Sequence, residues 1–214
     1  MDGDVADLPK LLQISKEYNY PLILDEAHSA GVLGDKLRLG LVAELDKSQK
    51  QNVILVCPLG KSFGAYGAIV LANGVYKDVI EQFARTLIYS TSLPLICAKG
   101  ASLSLEILLS SEGYELFNDL RSNINYFYKK ANLLFGNNMP GVNNKSAIQS
   151  IIIGDPAKAL SLSNHLKKCG FLACAMRSPT VPIGTDRIRI TLRSKHTFQQ
   201  IDGILQAIKN YLGG

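Results

Sequence analysis

An α/β protein made of two successive α/β units is what the sequence predicts, and three patterns carry that prediction. Short unbroken apolar runs, Leu22-Ile23-Leu24, Val53-Ile54-Leu55-Val56 and Ala68-Ile69-Val70-Leu71-Ala72, are too brief for ordinary helices and read as strands. Stretches with apolar residues at helical spacing alternate with them. Beyond Glu112-Gly113 the alternation begins afresh, which places a boundary there and divides the chain into residues 1–112 and 113–214.

Each element has its own local reason. Leu8, Leu11, Leu12 and Tyr18 recur near helical spacing, and Pro21 then opens the strand that runs out on Asp25. Because the runs are continuous rather than alternating, the sheet is expected to be covered on both faces. Helices are expected from about residue 94 to 109 and from about 114 to 135, and the Asn-rich stretch 136–144, with its Pro and Gly, reads as a loop. A strand over 148–153 follows, then a helix capped by Asp155 with Pro156 in its first turn. Strands over 171–176 and 187–192 and a helix over 198–211 complete the chain. In that helix Phe198, Ile201, Leu205, Ile208 and Leu212 form one apolar stripe, expected in the core.

Composition narrows the function classes. With 47% hydrophobic residues in 214, the chain can bury a core. Its net charge of +5 comes from dispersed residues, with no basic block of the kind that marks a nucleic-acid arm. The four cysteines, Cys57, Cys97, Cys169 and Cys174, form no CxxC pair and lie near no His at zinc-finger spacing, so neither a metal site nor a disulfide framework is indicated. Reduced, mostly buried thiols and a cytoplasmic location are expected. No apolar run is long enough to cross a bilayer, and the acidic Met1-Asp2-Gly3-Asp4 is unlike a signal peptide.

Chemistry concentrates at two places. Asp25-Glu26-Ala27-His28 stands where the first strand ends, the edge at which open α/β sheets bind ligands. Taken singly, Asp25 could cap a turn and His28 fill a pocket. The letters also match a helicase box, but Gly60-Lys61-Ser62 is only the end of a phosphate loop whose first glycine would fall at Leu55, and it follows the acidic box instead of preceding it. Lys61 lies just after the second apolar run, in Pro58-Leu59-Gly60-Lys61-Ser62-Phe63-Gly64, among small residues that let a ligand approach the backbone. A lone lysine there is ordinarily a surface residue; desolvated, it would be a nucleophilic amine. An Asp for a pyridinium nitrogen, a His beside it and a lysine for an aldehyde together point to a cofactor.

The residues 25–34, beginning Asp25-Glu26-Ala27-His28-Ser29, and Gly60-Lys61-Ser62-Phe63-Gly64 resemble the signatures of the α-oxoamine synthases, pyridoxal-phosphate enzymes of the aspartate aminotransferase-like fold (fold type I). Gln82-Phe83-Ala84-Arg85 through Ser92-Leu93-Pro94, Arg177-Ser178-Pro179-Thr180-Val181-Pro182 and Arg187-Ile188-Arg189-Ile190-Thr191-Leu192 extend the likeness over essentially the whole chain. The resemblance implies the C-terminal part of such an enzyme: residues 1–112 from the large mixed-sheet cofactor-binding domain, and 113–214 as the small C-terminal α/β domain.

Within the family, the 82–94 stretch and Pro179-Thr180-Val181-Pro182 look most like the biotin-pathway member. That implies C-acyl transfer from a pimeloyl thioester, on coenzyme A or an acyl carrier protein, to L-alanine with loss of carbon dioxide. Relatives that use glycine or serine with an acyl-CoA share the motifs, and a non-catalytic fragment is a further alternative. By the resemblance Lys61 would hold pyridoxal 5'-phosphate and move the substrate α-proton, Asp25 would keep the ring nitrogen protonated, and His28 would bond the phenolic oxygen. Arg189 resembles the carboxylate-binding arginine, a job suited to its planar fork. Thr180 and Arg177 would line the substrate site. Ser90 and Thr91 would reach a cofactor phosphate across a homodimer interface. For Arg187 a surface ion pair is expected.

Two departures from the family pattern stand out. Met1-Asp2-Gly3-Asp4 corresponds to an internal stretch of the family, so the segment that supplies the ring-stacking residue and much of the phosphate pocket is expected to lie outside these 214 residues. Pro58 stands where many members have a phosphate-binding Thr, and it has neither hydroxyl nor backbone donor.

Overall fold

The computed structural model describes residues 1–136, 141–143 and 145–213. Of the loop expected over 136–144, residues 137–140 and 144 lie outside the described ones. The chain packs into two compact units, Ala6–Glu115 and Leu116–Gly214, the latter joined by Met1–Val5.

The Ala6–Glu115 unit opens with α1 (Leu8–Tyr18), started by Asp7, whose carboxylate accepts the Lys10 N–H at 3.2 Å, and stopped by Asn19 in the left-handed conformation. Strands β1 (Leu22–Asp25), β2 (Val53–Pro58) and β3 (Ala68–Leu71) follow, with the short helix α2 (Leu41–Glu44) and a 3-10 turn (Gln49–Asn52) before β2. β1 and β2 are parallel, Asp25 opposite Val56; β2 and β3 are antiparallel, Pro58 opposite Ala68. Helices α3 (Gly74–Phe83), α4 (Arg85–Ile88) and α5 (Leu95–Leu109) complete the unit.

Both-face coverage of this sheet was expected and is not found. All four residues of β3 are exposed, and along β1 Ile23 and Asp25 are exposed while Leu22 and Leu24 are half-buried. The strands are as apolar as a fully covered sheet requires, but the elements present cover only part of it. Helix α3 was not predicted. Asn73 caps it by accepting the Tyr76 N–H at 3.3 Å, and its Val75, Val79 and Phe83, which recur at helical spacing, are exposed.

α6 (Ser111–Phe135) runs through the division into the Leu116–Gly214 unit. There β4 (Ile148–Ile152), β6 (Arg187–Thr191) and β5 (Cys174–Met176) form an antiparallel sheet in the order β4-β6-β5. α7 (Pro156–Lys168) starts on Asp155, whose carboxylate accepts the Lys158 N–H at 2.7 Å; α8 (Phe198–Gly213) ends the chain. Ile124 and Phe127 of α6, Ile151, Leu162, Leu166, Ile188, Leu205 and Ile208 are fully buried. The α8 stripe holds at its centre only: Ile201 is buried, but Phe198 and Leu212 are 46% and 47% exposed. Phe198 instead stacks on Tyr126 with ring centroids 4.1 Å apart.

The expectation of mostly buried thiols fails as well. Cys57 and Cys97 are half-buried, while Cys169 and Cys174 are exposed, the first at the end of α7 and the second on the edge strand β5. Among the described residues no cluster of His, Cys, Asp and Glu could hold a metal ion, and no helix is long and apolar enough to cross a membrane.

Candidate functional site

The end of the parallel pair β1-β2 brings the two motif segments together. Past Asp25 the chain turns at once: the Asp25 carboxylate accepts the Ala27 N–H at 2.8 Å, and the Glu26 carbonyl accepts the N–H of Ser29 at 3.2 Å and that of Ala30 at 3.4 Å. His28 sits on this turn, exposed. Ala30 then enters a small apolar cluster with Leu59, Phe63 and Ala101.

Leu59 and Phe63 flank Lys61 in the connection from β2 to β3. Their burial, with only 3% and 8% exposure, fixes both sides of the lysine. Backbone bonds from Leu59 N to Gly67 O and from Ala65 N to Leu59 O, each 2.9 Å, close the base of the loop. The turn itself closes by Gly64 N to Lys61 O at 3.0 Å, with Gly64 at φ +57°, and Ser104 of α5 donates to the Phe63 carbonyl at 2.7 Å. Lys61 projects from this anchored loop and is exposed. Burial among the small residues was the sequence reading for Lys61; the burial falls on its neighbours Leu59 and Phe63.

The two segments touch. A Cβ on Gly31, which lies at φ +75°, would stand 3.1 Å from Ser62 Cβ, so the glycine lets the histidine turn close against the lysine loop. A carboxylate, an imidazole and a primary amine thus stand at one end of one sheet. That donor set fits the ring nitrogen, phenolic oxygen and aldehyde of pyridoxal phosphate. Pro58, closing β2, adds no phosphate donor.

Ser90 and Thr91 are exposed on the stretch between α4 and α5, and Ser90 Oγ donates to Leu87 O at 3.0 Å. A cavity of about 770 Å3 in the same unit is lined by apolar residues including Val42, Leu55, Ile69 and Leu105. Lys61, Asp25 and His28 do not line it.

Three predicted residues belong to the other unit. Arg177 and Thr180 are exposed and form one turn, with Thr180 N donating to Arg177 O at 2.9 Å around the cis Ser178-Pro179 bond. Arg189 is half-buried on the central strand β6, between Ser150 and Cys174, and its Nε is buried without a hydrogen-bond partner among the described residues. Its neighbour Arg187 does form an ion pair, but a buried one: it is 5% exposed, its NH1 group pairs with Asp2, and its Nε donates to Thr185 O at 2.8 Å. The surface pair expected for it is therefore corrected, because residues 1–5 cover that face.

Two buried carboxylates support these turns without having been singled out. Glu26, 6% exposed, accepts the N–H groups of Leu41 and Val42 at 2.7 and 3.0 Å. Burial pushes its carboxyl above the ordinary range, and those two bonds oppose the rise. Asp186, 1% exposed, accepts the Ser178 N–H at 3.3 Å and so fixes the Arg177–Thr180 turn. Arg38 was also missed. Held at φ +59°, it donates to the Leu108 carbonyl at 2.9 Å and lies over the Tyr114 ring, finishing the end of α5.

Comparison with known proteins bears on the family and the fold. The family model described as aminotransferase class I and II matches residues 1–208. The chain is 37% identical over 213 residues to an 8-amino-7-oxononanoate synthase of Marinomonas sp., covering 99% of this chain and 52% of the relative. A second such synthase, from Hahella chejuensis, is 38% identical, covering all of this chain and 52% of its own length. The solved 8-amino-7-oxononanoate synthase of Francisella tularensis superposes with a TM-score of 0.78 at 30% identity, over 98% of this chain and 59% of that one. The serine palmitoyltransferase of S. paucimobilis, with a bound PLP-myriocin aldimine, gives 0.85 at 25% identity, over 99% and 52%. The chain spans about half the length of the curated relatives it matches, and its fold is the C-terminal portion of the aminotransferase-like fold. On the match over residues 1–208, the chain belongs to the aminotransferase class I and II family.

Proposed function

We propose that this chain is the lysine-bearing part of a pyridoxal-phosphate synthase that joins L-alanine to a pimeloyl thioester, with loss of carbon dioxide, giving 8-amino-7-oxononanoate. The observation that carries the reading is the packing of the Asp25–His28 turn against the Lys61 loop, in a chain 37% identical to such a synthase along its length.

When bound, the cofactor supplies an electron sink for the charge left by a departing proton or carboxylate. The Lys61 amine would hold the cofactor aldehyde and would accept the substrate α-proton. The Asp25 carboxylate favours the charged form of the ring nitrogen, since an opposite charge nearby stabilises it. His28 orients the ring through its phenolic oxygen. Arg189 receives the substrate carboxylate, an assignment supported by its buried Nε, which lacks a protein partner among the described residues. Thr180 and Arg177 line the substrate on their turn. Ser90 and Thr91, beside the exposed Tyr89, Leu93 and Leu95, fit a phosphate site shared with a second copy of the protein.

The test is to add pyridoxal phosphate to the purified protein and look for the absorbance band of an amine-bound aldehyde. The band should vanish completely in Lys61→Ala. Alanine, glycine and serine are then offered with a panel of acyl thioesters. A band that survives Lys61→Ala sinks the site, and a preference for glycine or serine sinks the choice of substrate.

A further inference from the structure

Glu26 is the buried ionisable group at the site for which the mechanism has no use. Its backbone N–H donates to Val56 O of β2 at 2.9 Å, and its carbonyl anchors the His28 turn. Its side chain reaches the other way, to the Leu41 and Val42 N–H groups at the start of α2. The intervening loop closes on itself through Gly31 N to Arg38 O at 2.7 Å and Gly40 N to Leu33 O at 3.1 Å.

The fit around the carboxylate is tight. A Cβ on Gly40 would fall 2.0 Å from Glu26 Oε2, and Gly40 is at φ +95°, so both the space and the backbone conformation require glycine. Only one oxygen is used: Oε2 is buried without a hydrogen-bond partner among the described residues. Core stability alone is poorly served by a half-satisfied carboxylate, because burying an acceptor without a partner costs free energy.

We propose that Glu26 is a positioning residue: its carboxylate staples the start of α2 to the turn after β1 and so fixes where His28 and Asp25 stand. It touches neither cofactor nor substrate. The consequence for cofactor binding rests on the function proposed above, whereas the placement of His28 does not.

The experiment reads His28 directly. The chain has 3 histidines, so the His28 imidazole signal in a proton–nitrogen NMR spectrum is assigned by its loss in His28→Gln. In cofactor-free protein, Glu26→Ala should displace that signal. Glu26→Asp, which withdraws the carboxylate by one methylene but keeps its charge, should displace it too and serves where the alanine variant does not fold. Glu26→Gln retains the accepting oxygen and should leave the signal in place. Pyridoxal phosphate affinity should fall about tenfold in Glu26→Asp and stay near native in Glu26→Gln. A folded Glu26→Ala or Glu26→Asp protein with an unmoved His28 signal overturns the proposal, as does a glutamine variant as displaced as the alanine one. If the wild-type protein never takes up pyridoxal phosphate, the proposed function fails, while the His28 displacement still decides the role of Glu26.

Discussion

The Leu116–Gly214 unit and the Ala6–Glu115 unit treat apolar surface in opposite ways. In the first, three helices and a sheet meet over Ile124, Phe127, Ile151, Leu162, Ile188 and Leu205, all at 0% exposure. In the second, β3 is exposed along its whole length, and Leu95 and Ile96 at the start of α5 are 87% and 76% exposed. The large apolar cavity belongs to the second unit too. One unit builds a core of fully buried side chains, although Leu172 and Ile183 stay 90% exposed, whereas in the other the buried cluster of Leu59, Phe63, Ala30 and Ala101 holds the motif loops. The apolar faces of β3 and of the start of α5 in that unit stay exposed.

The sharpest way to break this contrast is a matched pair of truncations. Phe127→Ala should destabilise by about 3–5 kcal/mol, because it empties a fully buried site. Leu71→Ala, on the exposed β3, should cost about 0.5 kcal/mol or less. Urea denaturation followed by circular dichroism measures both, and equal losses would show that the two units are packed alike.

Buried charge extends the comparison. In the first unit Asp2 answers Arg187; burial would raise the Asp2 carboxyl, but hydrogen bonding to Arg187 and the guanidinium charge outweigh it and hold it below 3.8. A lowered folded value contributes stability that is full above about pH 4 and is lost as the pH falls through that value. Asp2→Asn should therefore cost about 2 kcal/mol at neutral pH, a discount on a fully buried pair because Asp2 is partly exposed. It should also flatten the acid limb of the melting curve against pH.

In the second unit the sign reverses. Burial holds the Glu26 carboxyl above 4.5, so its contribution is complete below that pH and is lost as the pH rises through the folded value. Glu26→Gln should therefore melt no lower than the wild type at pH 7 and should lose the pH dependence in that window, an effect of about 1 kcal/mol. Parallel melting-temperature profiles for the two proteins would refute this.

What could be read in the sequence follows from the range of the interactions. Unbroken runs such as Val53 to Val56 disclosed strands, and Asp155-Pro156 disclosed a helix start, because both signals lie within a few neighbouring residues. Asp25, His28 and Lys61 stood out in the sequence because Asp25 directly follows Leu24, and His28 and Lys61 come within five residues of the end of an apolar run. Glu26 sat in the same motif unnoticed, since its partners are backbone amides fifteen residues on, which carry no side-chain signature. Arg187 was misjudged for a similar reason: its partner, Asp2, is 185 positions away. Coverage of the sheet was misjudged because strand composition reports how apolar a face is and not what lies over it.

The anchored loop around Lys61 bears on the timing of entropy loss. Leu59 and Phe63 are buried and the turn is closed by backbone bonds, so the loop is ordered when the chain folds and not when a ligand arrives. The exposed lysine side chain keeps its rotamer freedom, worth about 2 kcal/mol. An aldehyde meeting this amine would wait for rotations about a few side-chain bonds, which take nanoseconds or less, and not for the slower rearrangement of a loop.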